Sequence, residues 1–133
     1  MKLFVASLLI WVAIWTSALA QFDGVQDVIS RQIEAFKVDD VSTAFTFASP
    51  VIQRKFGNPT NFGLMVRKGY PMVWRPENVQ FLKTRTIAGQ IYQRILITDV
   101  AGQIHVLDYH MVKISGVWRI NGVFLLDGAA ESA

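Results

Sequence analysis

His105, Asp108 and His110 fall within six residues of one another, in the stretch Ile104-His-Val-Leu-Asp-Tyr-His-Met-Val-Lys113. Asp108 and His110 are two positions apart, so on a strand they share a face, with Cβ atoms roughly 7 Å apart at a rise of ~3.3 Å per residue. A carboxylate beside an imidazole is the smallest set that performs general acid–base chemistry. It is also two of the ligands that a metal site takes. The sequence identifies no third ligand, so Asp108 and His110 are the catalytic candidates and no metal is assigned. The structural alternative pairs Asp108 with an arginine of a neighbouring strand, Arg94 or Arg119, and packs His110 on the sheet surface.

A second group lies in Tyr70-Pro-Met-Val-Trp-Arg-Pro76. Tyr70 and Trp74 offer rings for stacking, and Arg75 offers a guanidinium for a carboxylate, as a loop at the mouth of a cavity would. Tyr109, on the strand face opposite Asp108, joins Tyr70, Trp74 and Arg75 as a ligand-binding candidate. The alternative for Trp74 is a plug of core. Several chemistries are excluded. There is no cysteine, hence no thiol nucleophile, disulfide or thiolate metal site. No Gly-x-Ser-x-Gly segment occurs, and Gly57, Gly63 and Gly69 lack the strand and the Lys-Ser/Thr of a phosphate loop. No cofactor is implied.

The elements that must position these residues come as helices first and strands second, the order of an α+β domain. Asp23-Gly-Val-Gln26 has the form of a capping box. Val25, Val28, Ile29, Ile33 and Phe36 then recur at helical spacing, with Gln26, Arg31, Gln32, Glu34 and Lys37 on other faces. Asp39-Asp40 caps a second short helix, and Ser49-Pro50 and Asn58-Pro59 start two more, ended by Gly57 and Gly69. Tyr70–Pro76, bracketed by prolines, is expected to be neither helix nor central strand but a structured crossing. Four strands are expected at about 78–87, 90–98, 103–114 and 117–126, joined by short turns and therefore forming an antiparallel meander in sequence order. Strict alternation puts Trp118, Ile120, Gly122, Phe124 and Leu126 on one face of the last strand. Phe36, Phe45, Ile95, Val106, Trp118 and Ile120 are expected in the core.

The N-terminus sets the compartment. Met1-Lys2, an apolar run over 3–15 and the exit Ala18-Leu-Ala20 are the three parts of a secretory signal peptide. The expected arrangement is a signal peptide over 1–20 cleaved after Ala20, a single domain over 21–126 and a flexible tail over 127–133. Mass spectrometry of periplasmic or secreted material should find a chain beginning at Gln21, and an intact Met1 species held in the membrane would overturn this. The alternative is a retained N-terminal anchor. Cleavage leaves about 113 residues, near the modal size of one domain. With 13 Lys+Arg against 10 Asp+Glu, scattered along the chain, nucleic acid is not an expected partner. Nor is a membrane, once the signal is gone.

Ile33-Glu-Ala-Phe with Asp39-Asp40, Ala48-Ser-Pro-Val-Ile-Gln-Arg54, Gly69-Tyr-Pro-Met-Val-Trp-Arg-Pro76, Val106-Leu-Asp-Tyr109 and Gly116-Val-Trp-Arg-Ile-Asn-Gly122 together resemble the bacterial domain-of-unknown-function family 4864. Its wider group is the nuclear-transport-factor-2-like superfamily, also called SnoaL-like or cystatin-like. The resemblance implies N-terminal helices packed on a strongly curved, cone-shaped four-stranded antiparallel sheet. It implies no mechanism, because the superfamily hosts enzymes and plain binding modules alike.

The expected role is an exported, more readily non-enzymatic domain that binds a small apolar or amphipathic ligand or a protein partner. The alternatives are a small-molecule isomerase, dehydratase or hydrolase using Asp108 and His110, and a structural subunit of an envelope assembly. Both faces of the third and fourth strands are rich in apolar residues, and one layer of helices covers one face. A homodimer through the other is therefore expected, using either the Leu107, Tyr109 and Met111 set or the Val106, His110 and Val112 set.

Overall fold

The computed structural model of the chain describes residues 22–126. The expected signal peptide and its cleavage site, and the expected tail over 127–133, lie outside the described residues. The helices are α1 Val25–Lys37, α2 Val41–Thr46, α3 Pro50–Phe56, α4 Pro59–Gly69 and α5 Pro71–Trp74. The strands are β1 Pro76–Ile87, β2 Gln90–Asp99, β3 Ile104–Ile114 and β4 Val117–Leu125, antiparallel in the order β1-β2-β3-β4. This is the expected α+β meander.

Three helix starts follow the capping logic. The side chains of Asp40, Ser49 and Asn58 accept hydrogen bonds from the backbone N–H groups of Thr43, Ile52 and Asn61, and Pro50 and Pro59 stand in the first turn where a missing N–H costs little. The start of α1 differs from expectation. Gly24, at φ 92°, takes the N-cap position, and no side chain caps the helix. A residue without Cβ adopts that left-handed turn at little cost. The chain closes it through the Phe22 carbonyl, which accepts from the Val25 N–H at 3.2 Å. Gly63 serves a close approach instead: a Cβ there would lie 2.6 Å from Val41 Cγ1, so α2 and α4 touch at this point.

Two further expectations are corrected. The Tyr70–Pro76 crossing contains a helical turn, α5, because its first proline sits at the start of the turn and its second opens β1. Gln32 is buried, not on an outer face. It follows Val28 by four and precedes Phe36 by four, which is the stripe that α1 turns inward.

The core forms between the helices and one sheet face. Ile29, Ile33 and Phe36 of α1 pack in one cluster with Ile95 and Ile97 of β2 and Leu107, Tyr109 and Met111 of β3. The β3 face left open by sequence is thereby settled: Leu107, Tyr109 and Met111 lie beneath the helices. Of the six expected core residues, Phe36, Ile95, Trp118 and Ile120 are buried. Phe45 packs partly buried against the cluster, while Val106 is half-buried on the other face.

Alternation fails in β4. His110 pairs with Gly122 but Met111 pairs with Ile120, so Asn121 is an extra residue, a β-bulge. Beyond it the faces exchange. Val123 lies across from core-facing Tyr109, and Phe124 across from Asp108. Trp118 and Ile120 therefore do not share a face with Phe124. The α2–α3 junction is stitched to this region: the Ser49 N–H donates to the Ile120 carbonyl at 2.8 Å, and the Ile120 N–H donates to the Phe47 carbonyl at 2.9 Å.

Candidate functional site

Between the helices and the sheet lies a cavity of about 540 Å³. Its walls come from α1 (Gln32, Phe36), α3 (Ile52, Lys55, Phe56), α4 (Phe62, Met65, Val66), the α5 crossing (Tyr70, Val73) and the sheet (Tyr109, Ile120, Asn121 and Val123). An aromatic row supports it: Phe62 stands 5.9 Å from Phe36, 5.4 Å from Phe45 and 5.9 Å from Phe56, ring centre to ring centre. Its volume lies in the range that takes a small organic ligand.

The polar groups of the wall are few. Gln32 Nε2 donates to the Ala44 carbonyl at 3.1 Å, tying α1 to α2. Tyr70 Oη donates to the Val123 carbonyl at 3.2 Å, tying the crossing to β4 just past the bulge. Ser49 Oγ donates to Asn121 Oδ1 at 2.6 Å, which holds the bulge residue in the wall. Tyr109 stands apart. It is fully buried, and its hydroxyl has no hydrogen-bond partner. Burial, with a smaller push from Tyr70, raises its pKa far above the ordinary phenol value, so it remains a neutral O–H.

Of the four ligand-binding candidates, Tyr70 and Tyr109 line the cavity. Trp74 and Arg75 instead close the C-terminal end of α1. The Trp74 ring lies 5.5 Å from that of Phe36, and the Arg75 guanidinium sits 4.9 Å from the Trp74 ring centre. Arg75 Nη1 donates to the Phe36 carbonyl at 2.6 Å and Nη2 to Asp39 at 2.5 Å.

Asp108 and His110 share a face, as their spacing requires, but it is the outer face of the sheet. Asp108 is clamped: Arg94, its cross-strand neighbour on β2, reaches it through Nε at 3.1 Å and Nη2 at 3.2 Å, and Arg85 of β1 bonds the same carboxylate. Burial alone would raise its pKa, but the hydrogen bonds and charges of Arg94 and Arg85 outweigh burial and hold it below the ordinary carboxylate value. Arg119, the other arginine considered for Asp108, donates to the Thr46 carbonyl.

His110 stacks on Tyr92 at 5.1 Å, and burial lowers its pKa. Its Nε2 lies 2.8 Å from Gln90 Oε1, and its Nδ1 lies 3.3 Å from Asn121 Nδ2. A neutral imidazole protonated at Nε2 satisfies both contacts, donating to the carboxamide oxygen and accepting from the Asn121 amide. Both ring nitrogens are thus occupied. His105 pairs with Asp99 at 2.8 Å, beside the β2–β3 turn. Among the described residues, no group of three or more His, Asp or Glu could hold a metal ion.

Sequence reasoning missed Gln32, Lys55, Asn121 and the aromatic row as cavity residues. For Gln32 the signal was present: a polar residue at the four-residue spacing of an apolar stripe. For Asn121 it was absent, since a bulge leaves no mark on an alternating pattern.

The family model for a domain of unknown function, DUF4864, matches residues 18–133. The chain belongs to the DUF4864 family. Its fold is that of the NTF2-like proteins. An NTF-2-like protein of unknown function from Shewanella oneidensis superposes with a TM-score of 0.52 at 13% identity, covering 79% of this chain and 98% of that one. The protein Aln2 from a Streptomyces species superposes with a TM-score of 0.48 at 13% identity, covering 86% of this chain and 96% of its own. No curated protein matches the sequence. The DUF4864 domain therefore has the helix-on-sheet architecture in which the cavity lies, and among its described residues no helix is long and apolar enough to cross a membrane.

Proposed function

We propose that this DUF4864 domain is an exported binding protein for a small, largely apolar ligand held in the cavity between its helices and sheet. The observation that carries this reading is the cavity of about 540 Å³, whose walls are mostly apolar side chains such as Phe56, Phe62 and Met65. The contacts of Asp108 and His110 favour a structural role over catalysis, since one is held ionised by two arginines and the other has both nitrogens engaged. Export rests on the sequence of residues 1–20.

The test is a titration with a small apolar compound such as decanol, followed by the methyl signals of Met65 and Val66, which line the cavity. Binding should shift both signals, and Met65→Trp, which fills the space, should weaken it about ten-fold or more. Binding that leaves both signals unmoved, or no binding at millimolar concentration, would overturn the reading. Tyr109→Phe, which discards a hydroxyl without a hydrogen-bond partner and keeps the ring, should melt no lower than the wild type.

The outer sheet face supports a homodimer. It presents Ile104 at 65% and Phe124 at 52% exposure beside half-buried Tyr92, Leu96 and Val106. The contributing set is then Val106, His110 and Val112, since Leu107, Tyr109 and Met111 are covered. A stable contact of this kind buries ~1,200–2,000 Å². Light scattering at micromolar concentration should give twice the chain mass, and a clean monomer would overturn the dimer.

A further inference from the structure

Resting on the reading that the cavity binds a ligand, we propose that the ligand is a monoanionic amphiphile: an aliphatic or aryl carboxylate with a compact apolar body and its charged end at Lys55. The walls carry Phe36, Phe56, Phe62 and Met65 for the body. Lys55 is the single charged residue among the lining residues, and no Asp or Glu joins it. Its position decides where charge is tolerated. Lys55 lies in the last turn of α3 and is exposed, with its ammonium 5.6 Å from the Phe56 ring centre, so it stands at the rim beside the aromatic row.

A carboxylate at the rim keeps part of its hydration and gains an opposite charge. An ammonium at the same place keeps its hydration but meets Lys55 as a like charge. Neither ion is stable deeper in, where no counter-charge offsets desolvation. The cavity is therefore asymmetric: apolar at depth, cationic at its edge.

Isothermal titration calorimetry with decanoate, decanol and decylammonium, each below its micelle concentration at pH 7, tests this directly. Decanoate should bind about five-fold or more tightly than decylammonium, a difference that shrinks in high salt as exposed charges are screened. Lys55→Gln should weaken decanoate about two- to five-fold, the worth of an exposed ion pair, and leave decanol unchanged. Shifts of the Met65 and Val66 methyl signals on titration locate the site without any variant, and Ile52→Trp, where it folds, should block all three probes. Equal binding of decanoate and decylammonium with those methyl shifts would overturn the charge assignment while the cavity reading stands. So would a Lys55→Gln protein that binds decanoate as the wild type does. No binding of any probe at millimolar concentration, with the methyl signals unmoved, would overturn both.

Discussion

Phe36→Ala should lower the unfolding free energy by about 3–5 kcal/mol, the cost of deleting a buried aromatic side chain. Phe36 has no exposed surface, and its ring meets Phe62 at 5.9 Å and Trp74 at 5.5 Å. It joins three parts of the fold: α1 that carries it, α4 through Phe62 and the crossing through Trp74. It also borders the cavity, so the space it leaves merges with an existing void and is poorly refilled. Domains of this size have about 5–15 kcal/mol in total, so the variant will populate unfolded chain at ordinary temperature. Urea denaturation measures the loss. A change below about 1 kcal/mol, the level of an ordinary surface or tolerant site, would mean that the helices pack on the sheet in another way.

Asp108→Asn should cost about 2 kcal/mol near neutral pH. Breaking a fully buried ion pair costs about 3–5 kcal/mol, but Arg85 and Arg94 are 28% and 35% exposed, so water takes back part of the loss. The pH dependence identifies the cause. Asp108 has its pKa depressed in the folded protein. Its contribution is therefore complete above the unfolded carboxylate value of ~3.9 and is lost as pH falls through the lower folded value. The gap between wild type and Asp108→Asn should be constant from pH 7 to about 5 and close in stronger acid. A gap as wide at pH 2 as at pH 7 would show that the carboxylate charge is not what the arginines hold. His110 acts in the same direction over a different window. Its folded pKa is lowered by burial, so the unfolded chain takes up that proton first, and stability declines as pH drops below about 6.5.

The sequence carried the architecture because its signals were local. Ser49-Pro50 and Asn58-Pro59 declare helix starts through one hydroxyl, one carboxamide and two prolines, and the structure uses all four. Short turns left the strands no order but sequence order. The site was legible only in part. Tyr70 and Tyr109 reach the cavity because one ends α4 and the other alternates toward the helices, both properties of neighbouring residues. Asp108 and His110 drew attention by chemistry, but which face they occupy depends on which face the helices cover, and that is a tertiary fact. Arg85 was the least visible partner. It lies on β1 beyond a register shift between Phe81 and Thr84, so its place opposite Tyr92 follows from pairing and not from spacing.

The bulge at Asn121 makes β4 a strand whose length matters more than most of its letters. Removing that one residue would restore unbroken alternation, and every side chain beyond it would change sides. Val123 would then turn to solvent and Phe124 would turn into the space beneath the helices. A change that leaves composition almost untouched would thus exchange the lining of an interior for the lining of a surface. Gain or loss of a single position between Ile120 and Val123 thus reverses a whole strand end, where a point replacement alters one side chain.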